Sequence, residues 1–595
     1  MEIKATDIGE SNIENLRNLF SFVYPTKEFA WFFSSIKNSM NTHRQAIDAN
    51  RSAVRESQIN LRGRYVFCEE DVLLIAYPDA IRSKHKTPLA TLNWFLNTYL
   101  KSTFSMIHLL PFYPYSSDDG FSVIDYRKVN QETGSWEDVS ALAKNSRLMF
   151  DAVINHISSQ SNWFKGYIRG KGSYSDFFIE KDTEGDYSMI VRPRTSPLFT
   201  SFQTQRGIKE IWTTFSPDQI DLNYKNPQVL LEVIDTLLAY VGHGASLIRL
   251  DAINYLWKQV GTTSSNLPQC HAVIRIIRLV LDIVCPWVVL VSETNIPHIH
   301  NISYFGDGYN EAQIIYQFSL PPLVVHSFLS KEMNSLGTWL RTLQFNGSTT
   351  YLNFLASHDG VGVVPATGIL MESEIEALAA LSLQRGGRVN YKTTPEGKNQ
   401  YYELNCTFHD LICDPEDDPE INIDKFIGAQ SILLALRGVP AIYFNTLFGD
   451  INHHEGVANT GIARSINRRK YHKDELERFL KDNGREKIIF TRLKHLIETR
   501  KQHSAFSPHA EQEVLKMPPA ILGLLRHDVG RERVLVLVNA SDGSVPCTVD
   551  PSVCDEHHTL ELIAGHGTLY HNSDVLTVTI PAYGFSWWKV VAHDA

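Results

Sequence analysis

The chain has 595 residues, 43% of them hydrophobic, and a formal net charge of -10 at pH 7 with both signs interspersed. That size supports one large core with satellites and excludes a small disulfide-stapled scaffold. The absence of any basic block excludes nucleic acid and anionic membranes as natural partners, leaving small neutral or modestly charged substrates.

Met1 to Glu10 has no basic stretch followed by an apolar one, and no apolar run reaches membrane-spanning length. Seven cysteines lie at scattered spacings with no C-x-x-C pair, which reads as free thiols in a reducing compartment. A soluble, cytoplasmic protein is the expectation. Residues 1–70 read as a helical extension, with Ile13, Leu16, Leu19 and Phe20 at helical spacing and a polar stretch around Asn41 to Asn60. From Asp71 short apolar runs alternate with helical patterns. The runs are Val72–Tyr77, Met106–Leu110, Leu148–Ile154, Leu247–Leu250, Val288–Val291, Gln313–Tyr316, Tyr351–Leu355 and Val439–Phe444. Between the third and fourth, Pro227 to Val241 reads as a helix with Pro227 in its first turn and Gly242 as its stop. Eight such strands predict an α/β fold, a (β/α)8 TIM barrel over 71–507.

Two connections are too long for simple crossovers and predict inserted subdomains, about 158–223 after the third strand and about 367–425 after the seventh. A last helix, Ile488 to Thr499, precedes a change of texture near Pro508. The runs Ala520–Leu525, Val534–Val538, Val575–Ile580 and Gly584–Val590 then predict a C-terminal antiparallel β domain over 508–595.

The chemistry sits at the strand ends. Arg249 and Asp251 are two residues apart, so an extended strand projects both from one face. Glu293 and Asp359 end two further strands, and a barrel brings such ends together. Glycosidic cleavage with retention needs two carboxyl groups ~5 Å apart, one as nucleophile and one as acid/base. Arg249 is expected to keep Asp251 ionised, and the apolar run before Glu293 to raise its pKa toward that of a general acid. Asn155 and His156 end the third strand, and the loop after the second mixes aromatic residues with Asp118 and Asp119, which suit sugar rings and hydroxyls. No His/Cys cluster has ligand spacing, so neither metal nor cofactor is expected.

Phe150 to His156, Ile248 to Ala252, Ser292 to Thr294 and Ala356 to Asp359 resemble, in order, the four motifs of glycoside hydrolase family 13, the α-amylase family. Leu109 to Asp125, Ile211 to Asn223 and Tyr402 to Thr407 resemble its sucrose phosphorylase subfamily. The resemblance implies a double displacement without calcium or any other metal. Asp251 would attack the anomeric carbon, Glu293 protonate the leaving oxygen and Asp359 stabilise the distorted sugar. Asp118, His156, Arg249, His358 and Arg464 would hold the glucosyl ring. Arg194 and Tyr402, with Tyr255 nearby, match phosphate-binding positions, and Glu403 and Gln259 are placed with the phosphate and acceptor.

Trp257 to Thr262 and Tyr402 to Asn405 are similar to the phosphorylases of glucosylglycerate and glucosylglycerol. The uncharged Gln259, Ser264 and Asn266 favour glucosylglycerol, while Lys258 and Arg388 leave an anionic acceptor open. The remaining alternatives are glucosylglycerate, then sucrose or sucrose 6'-phosphate, then an α-glucosidase or transglucosylase, and last a sugar-binding protein without turnover. Monomer and homodimer both stay open.

Overall fold

Aliphatic runs without polar alternation are satisfied only when both faces are buried, as in a parallel sheet covered by helices. In a computed structural model describing residues 8–51, 58–345, 348–393, 398–572 and 575–592, all eight runs form one closed ring. Its strands are β1 (Leu73–Ala76), β2 (Met106–Leu109), β3 (Arg147–Ala152), β4 (Ala245–Leu250), β5 (Val289–Ser292), β6 (Ile314–Tyr316), β7 (Thr350–Phe354) and β8 (Val439–Tyr443). Neighbours in sequence are neighbours in the ring, all parallel. The ring closes by pairing Leu73, Leu74 and Ile75 of β1 with Ala441, Ile442 and Tyr443 of β8.

The helix after β3 spans Pro227–Gly242, so Gly242 is its last residue and not its stop. Asn226 caps its start by accepting from Gln228 N at 3.0 Å. The helices Glu10–Val23 and Phe29–Asn50 pack against the barrel. Phe32, Ile36 and Met40 recur every fourth residue and are buried, and Ile47 extends the same buried face, which carries the helix to Asn50, into a stretch that reads as polar. Asp235 of the Pro227–Gly242 helix accepts from Ser39 Oγ at 2.6 Å and His43 Nε2 at 3.0 Å. The first seven residues of the expected extension, and 52–57, lie outside the described residues.

After β3 the chain forms a helix, Asn162–Ile168, an antiparallel hairpin, Phe199–Thr204 with Gly207–Trp212, and a short strand, Gln219–Asp221, paired with His156–Ser158. After β7 come a helix, Glu372–Gln384, and a hairpin, Arg388–Thr393 with Asn399–Asn405; residues 394–397 lie outside the described set. The helix before β8 begins at Pro419, inside the expected insertion, with Asp418 accepting from Glu420 N at 2.8 Å. That Asp-Pro start signal sets the boundary earlier than 425.

The C-terminal strands are β9 (Glu511–Val514), β10 (Ile521–Asp528), β11 (Glu532–Asn539), β12 (Val545–Val549), β13 (His558–Gly565), β14 (Thr568–Asn572), β15 (Val575–Ile580) and β16 (Phe585–Ala592). They make two antiparallel sheets, ordered β9-β10-β11-β16-β13 and β12-β15-β14. Arg526 of β10, fully buried, joins them to the barrel. It donates to Ala435 O at 2.6 Å, at the C-terminus of the Pro419–Ala435 helix, and to Ser507 O at 2.7 Å. Among the described residues no carboxylate pairs with it; the carbonyl dipoles of the helix end take the charge. Arg526→Met strands these carbonyls, each costing roughly 1–3 kcal/mol. A loss of about 3 kcal/mol is expected, read as a lower urea midpoint.

Candidate active site

Parallel closure aims all eight strand ends at one face, and a cleft opens there. Asp118, His156, Arg194, Asp251, Tyr255, Glu293, His358, Asp359, Tyr402 and Arg464 line it. Arg249 lies beneath the cleft, fully buried.

Arg249 is the electrostatic centre. Its Nη1 donates to Asp251 Oδ1 at 2.8 Å and to Asp151 Oδ1, and its Nη2 lies 3.7 Å from Glu293 Oε2. Asp151, at the end of β3, also meets His108 Nε2 at 2.7 Å. Burial works against the Asp151 carboxylate, but Arg249 and His108 outweigh it and hold its pKa at about 2. The outcome at Asp251 is the reverse. Burial pushes its pKa above the ordinary value, Arg249 opposes this, and the charge of Asp151 adds to the rise. Arg249 thus favours the ionised form of Asp251, as expected, but one guanidinium is shared among three carboxyl groups and does not by itself outweigh burial.

Glu293 behaves as its apolar strand predicts. Burial, reinforced by the charges of Asp251 and Asp359, lifts its pKa to about 7. Its Oε2 accepts from Ala252 N at 3.0 Å, an amide turned inward because Ala252 is left-handed (φ 50°). An acid with a raised pKa keeps its proton up to about pH 7 and loses it above. With a natural glucoside, kcat/KM is expected to fall tenfold per pH unit above about 7. With α-glucosyl fluoride, whose leaving group needs no proton, that alkaline limb disappears.

The remaining walls are held by arginines. Arg464 Nη1 lies 2.6 Å from Asp359 Oδ1, and its other side forms a two-bonded pair with Glu403, Nε to Oε1 at 3.0 Å and Nη2 to Oε2 at 2.5 Å. Arg468, absent from the expected set, donates to His358 O at 3.0 Å and Asp118 Oδ1 at 3.2 Å. It sits in a run of three basic residues, Arg468 to Lys470, that reads as a solvated loop. Burial would raise Asp118, yet Arg468 and Arg464 bring its pKa below the ordinary value. His358 stacks on Phe121 with 4.7 Å between ring centres. Burial, with Arg468 and Arg249, pushes its pKa far down, so it is a neutral imidazole. His156 Nε2 donates to Phe121 O at 2.9 Å.

The acceptor side departs from expectation. Glu403 is completely buried, committed to Arg464 and outside the cleft wall. Gln259 is exposed and also outside it. Lys258 is spent internally, its Nζ 2.6 Å from both Asn155 Oδ1 and Asp221 Oδ2. Arg388 lies exposed on the hairpin. Arg194 remains: among the described residues it has no carboxylate partner, and its Nη1 is buried without a hydrogen bond. Its guanidinium carbon is 5.9 Å from the Tyr402 ring centre. Asn295, also in the wall and absent from the expected set, has an unpartnered Oδ1.

Among the described residues no group of three or more His, Cys, Asp or Glu is arranged to hold a metal. Among the described residues no helix is long and apolar enough to cross a membrane. All seven cysteines are unpaired.

Residues 98–391 match the alpha amylase catalytic domain. The chain is 48% identical over 478 residues to the glucosylglycerate phosphorylase of Allomeiothermus silvanus, covering 80% of this chain and 86% of that one. It is 29% identical to the glucosylglycerol phosphorylase of Marinobacter adhaerens, covering 74% and 89%. The crystal structure of sucrose 6F-phosphate phosphorylase from Thermoanaerobacter thermosaccharolyticum superposes with a TM-score of 0.69 at 24% identity, over 79% of this chain and 94% of that one. The chain belongs to the α-amylase family, among its α-glucoside phosphorylases.

Proposed function

We propose that the protein carries out phosphorolysis of an α-glucosylglycerate, giving α-glucose 1-phosphate and glycerate. Asp251 attacks the anomeric carbon while Glu293 gives its proton to the departing glycerate oxygen, leaving a β-glucosyl ester on Asp251. A phosphate oxygen then attacks the same carbon, Glu293 takes the phosphate proton, and the ester bond breaks. Two inversions return the α configuration. Asp359, Asp118, His156 and His358 hold the glucosyl ring, with Arg464 fixing Asp359, Arg468 fixing Asp118 and Arg249 fixing Asp251.

The observation that carries this reading is Arg194, a guanidinium in the cleft wall with no carboxylate partner and a buried nitrogen left without a hydrogen bond. Both glycerate and phosphate are anions that a guanidinium grips in paired hydrogen bonds, and glycerol is not. The preference for glucosylglycerol rested on Gln259, Ser264 and Asn266. Gln259 faces solvent, and the Ser264 hydroxyl donates to Gln259 O at 3.1 Å. The 48% identity to a glucosylglycerate phosphorylase, against 29% to a glucosylglycerol phosphorylase, supports the same revision.

Release of glucose 1-phosphate from glucosylglycerate, glucosylglycerol, sucrose and sucrose 6'-phosphate, measured side by side, tests it. Glucosylglycerate is expected to lead by at least tenfold in kcat/KM. Equal or faster turnover of glucosylglycerol overturns the acceptor assignment.

A further inference from the structure

The loop that presents Asp118 to the cleft has an unusual backbone. Asp118 and Asp119 are consecutive left-handed residues (φ 52° and 51°), and Gly120 follows with φ 112°. A Cβ on Gly120 would lie 2.8 Å from Pro111 O. Left-handed non-glycine residues cost of order 1–3 kcal/mol each and persist only where surrounding contacts over-determine them. The contacts here converge on one carboxylate outside the cleft wall.

Asp218, half-buried in the segment between β3 and β4, accepts hydrogen bonds from four serine hydroxyls. Its Oδ2 takes Ser116 at 2.5 Å, Ser117 at 2.5 Å and Ser122 at 2.8 Å, and its Oδ1 takes Ser159 at 2.5 Å. Ser116 and Ser117 precede the left-handed pair and Ser122 follows it, so the two ends of the turn are tied to one group. The next residue completes the grip: Gln219 Nε2 donates to Phe121 O at 3.1 Å and lies 3.4 Å from Asp118 Oδ2.

We infer that Asp218 is a positioning residue for glucosyl transfer, a carboxylate hub that holds the left-handed turn and so keeps Asp118 aimed at the sugar. The inference rests on the reading that Asp118 binds the glucosyl ring, and is independent of the acceptor.

Steady-state kinetics with α-glucosyl fluoride and phosphate test this without reference to glycerate, so failure of the acceptor assignment leaves the test intact. Asp218→Ala, and Asp218→Asn as the near-isosteric variant that retains the fold, are expected to raise KM for the donor at least tenfold. KM for phosphate should stay within twofold. The diagnostic measurement is a double-mutant cycle with Asp119→Gly, which removes the Cβ from a left-handed position. In that background the cost of losing Asp218 is expected to shrink at least threefold. Equal costs in both backgrounds, or an unchanged donor KM, overturn the inference.

Discussion

Asp251→Ala is expected to lower kcat/KM for glucosyl transfer by at least about four orders of magnitude, ~5.5 kcal/mol at ~1.4 kcal/mol per factor of ten. The loss is this large because no neighbour can take over the nucleophile's role. Asp151 is buried, bound by Arg249 and His108, and outside the cleft wall. Asp359 is bound by Arg464. The product distinguishes a lost nucleophile from a damaged fold. With α-glucosyl fluoride and azide, the Ala variant is expected to form β-glucosyl azide, the inverted product of a single displacement into the vacated space. Recovery of α-product, or no azide adduct from a folded variant, rejects the assignment. Removing the Asp251 charge also removes part of what raises Glu293, so any remaining alkaline limb is expected below the wild-type position.

Arg194→Ala is expected to cost about 10²- to 10⁴-fold in kcat/KM for phosphate. Charge-assisted hydrogen bonds contribute roughly 1.5–3 kcal/mol each, and a guanidinium offers phosphate two. Arg194→Lys keeps the charge and loses the paired geometry, so an intermediate value is expected. Because the first displacement leaves a glucosyl ester whatever follows, the Ala variant diverts glucose to water. The ratio of free glucose to glucose 1-phosphate, resolved by chromatography, is expected to rise by at least tenfold. An unchanged ratio removes phosphate from Arg194.

Much of this site was legible in the chain because buried parallel strands are written as uninterrupted aliphatic runs, and their ends carry the charges. Arg249 and Asp251 share a face because they are two residues apart, and Glu293 is a raised acid because Val288 to Val291 precede it. What stayed hidden depends on partners distant in sequence. Asp151 lies within a quoted motif, yet only the ring places it against Arg249, 98 residues on. Lys258 reads as a free cation until Asn155 and Asp221 close on it. Arg468 is buried within a run whose composition says solvent. Glu403 points at Arg464, 61 residues on, and not at an acceptor. In the C-terminal sheets β9, β12, β13 and β14 do not stand out in the sequence because they alternate buried and exposed residues or carry polar ones, while β10 and β11 each contain a mostly aliphatic run, Ile521 to Leu525 and Val534 to Val538.

The ring closure of β1 on β8 also has a consequence for biosynthesis. Residues 73–76 leave the ribosome long before residues 439–443 exist to cover their second edge. At ~5–20 residues per second that interval lasts tens of seconds. Through it a fully aliphatic strand has one row of amides and carbonyls unpaired, and such an edge invites pairing with other chains. Partial translation products ending before about residue 439 therefore carry Asp251, Glu293 and Asp359 while the ring that brings them together is still open.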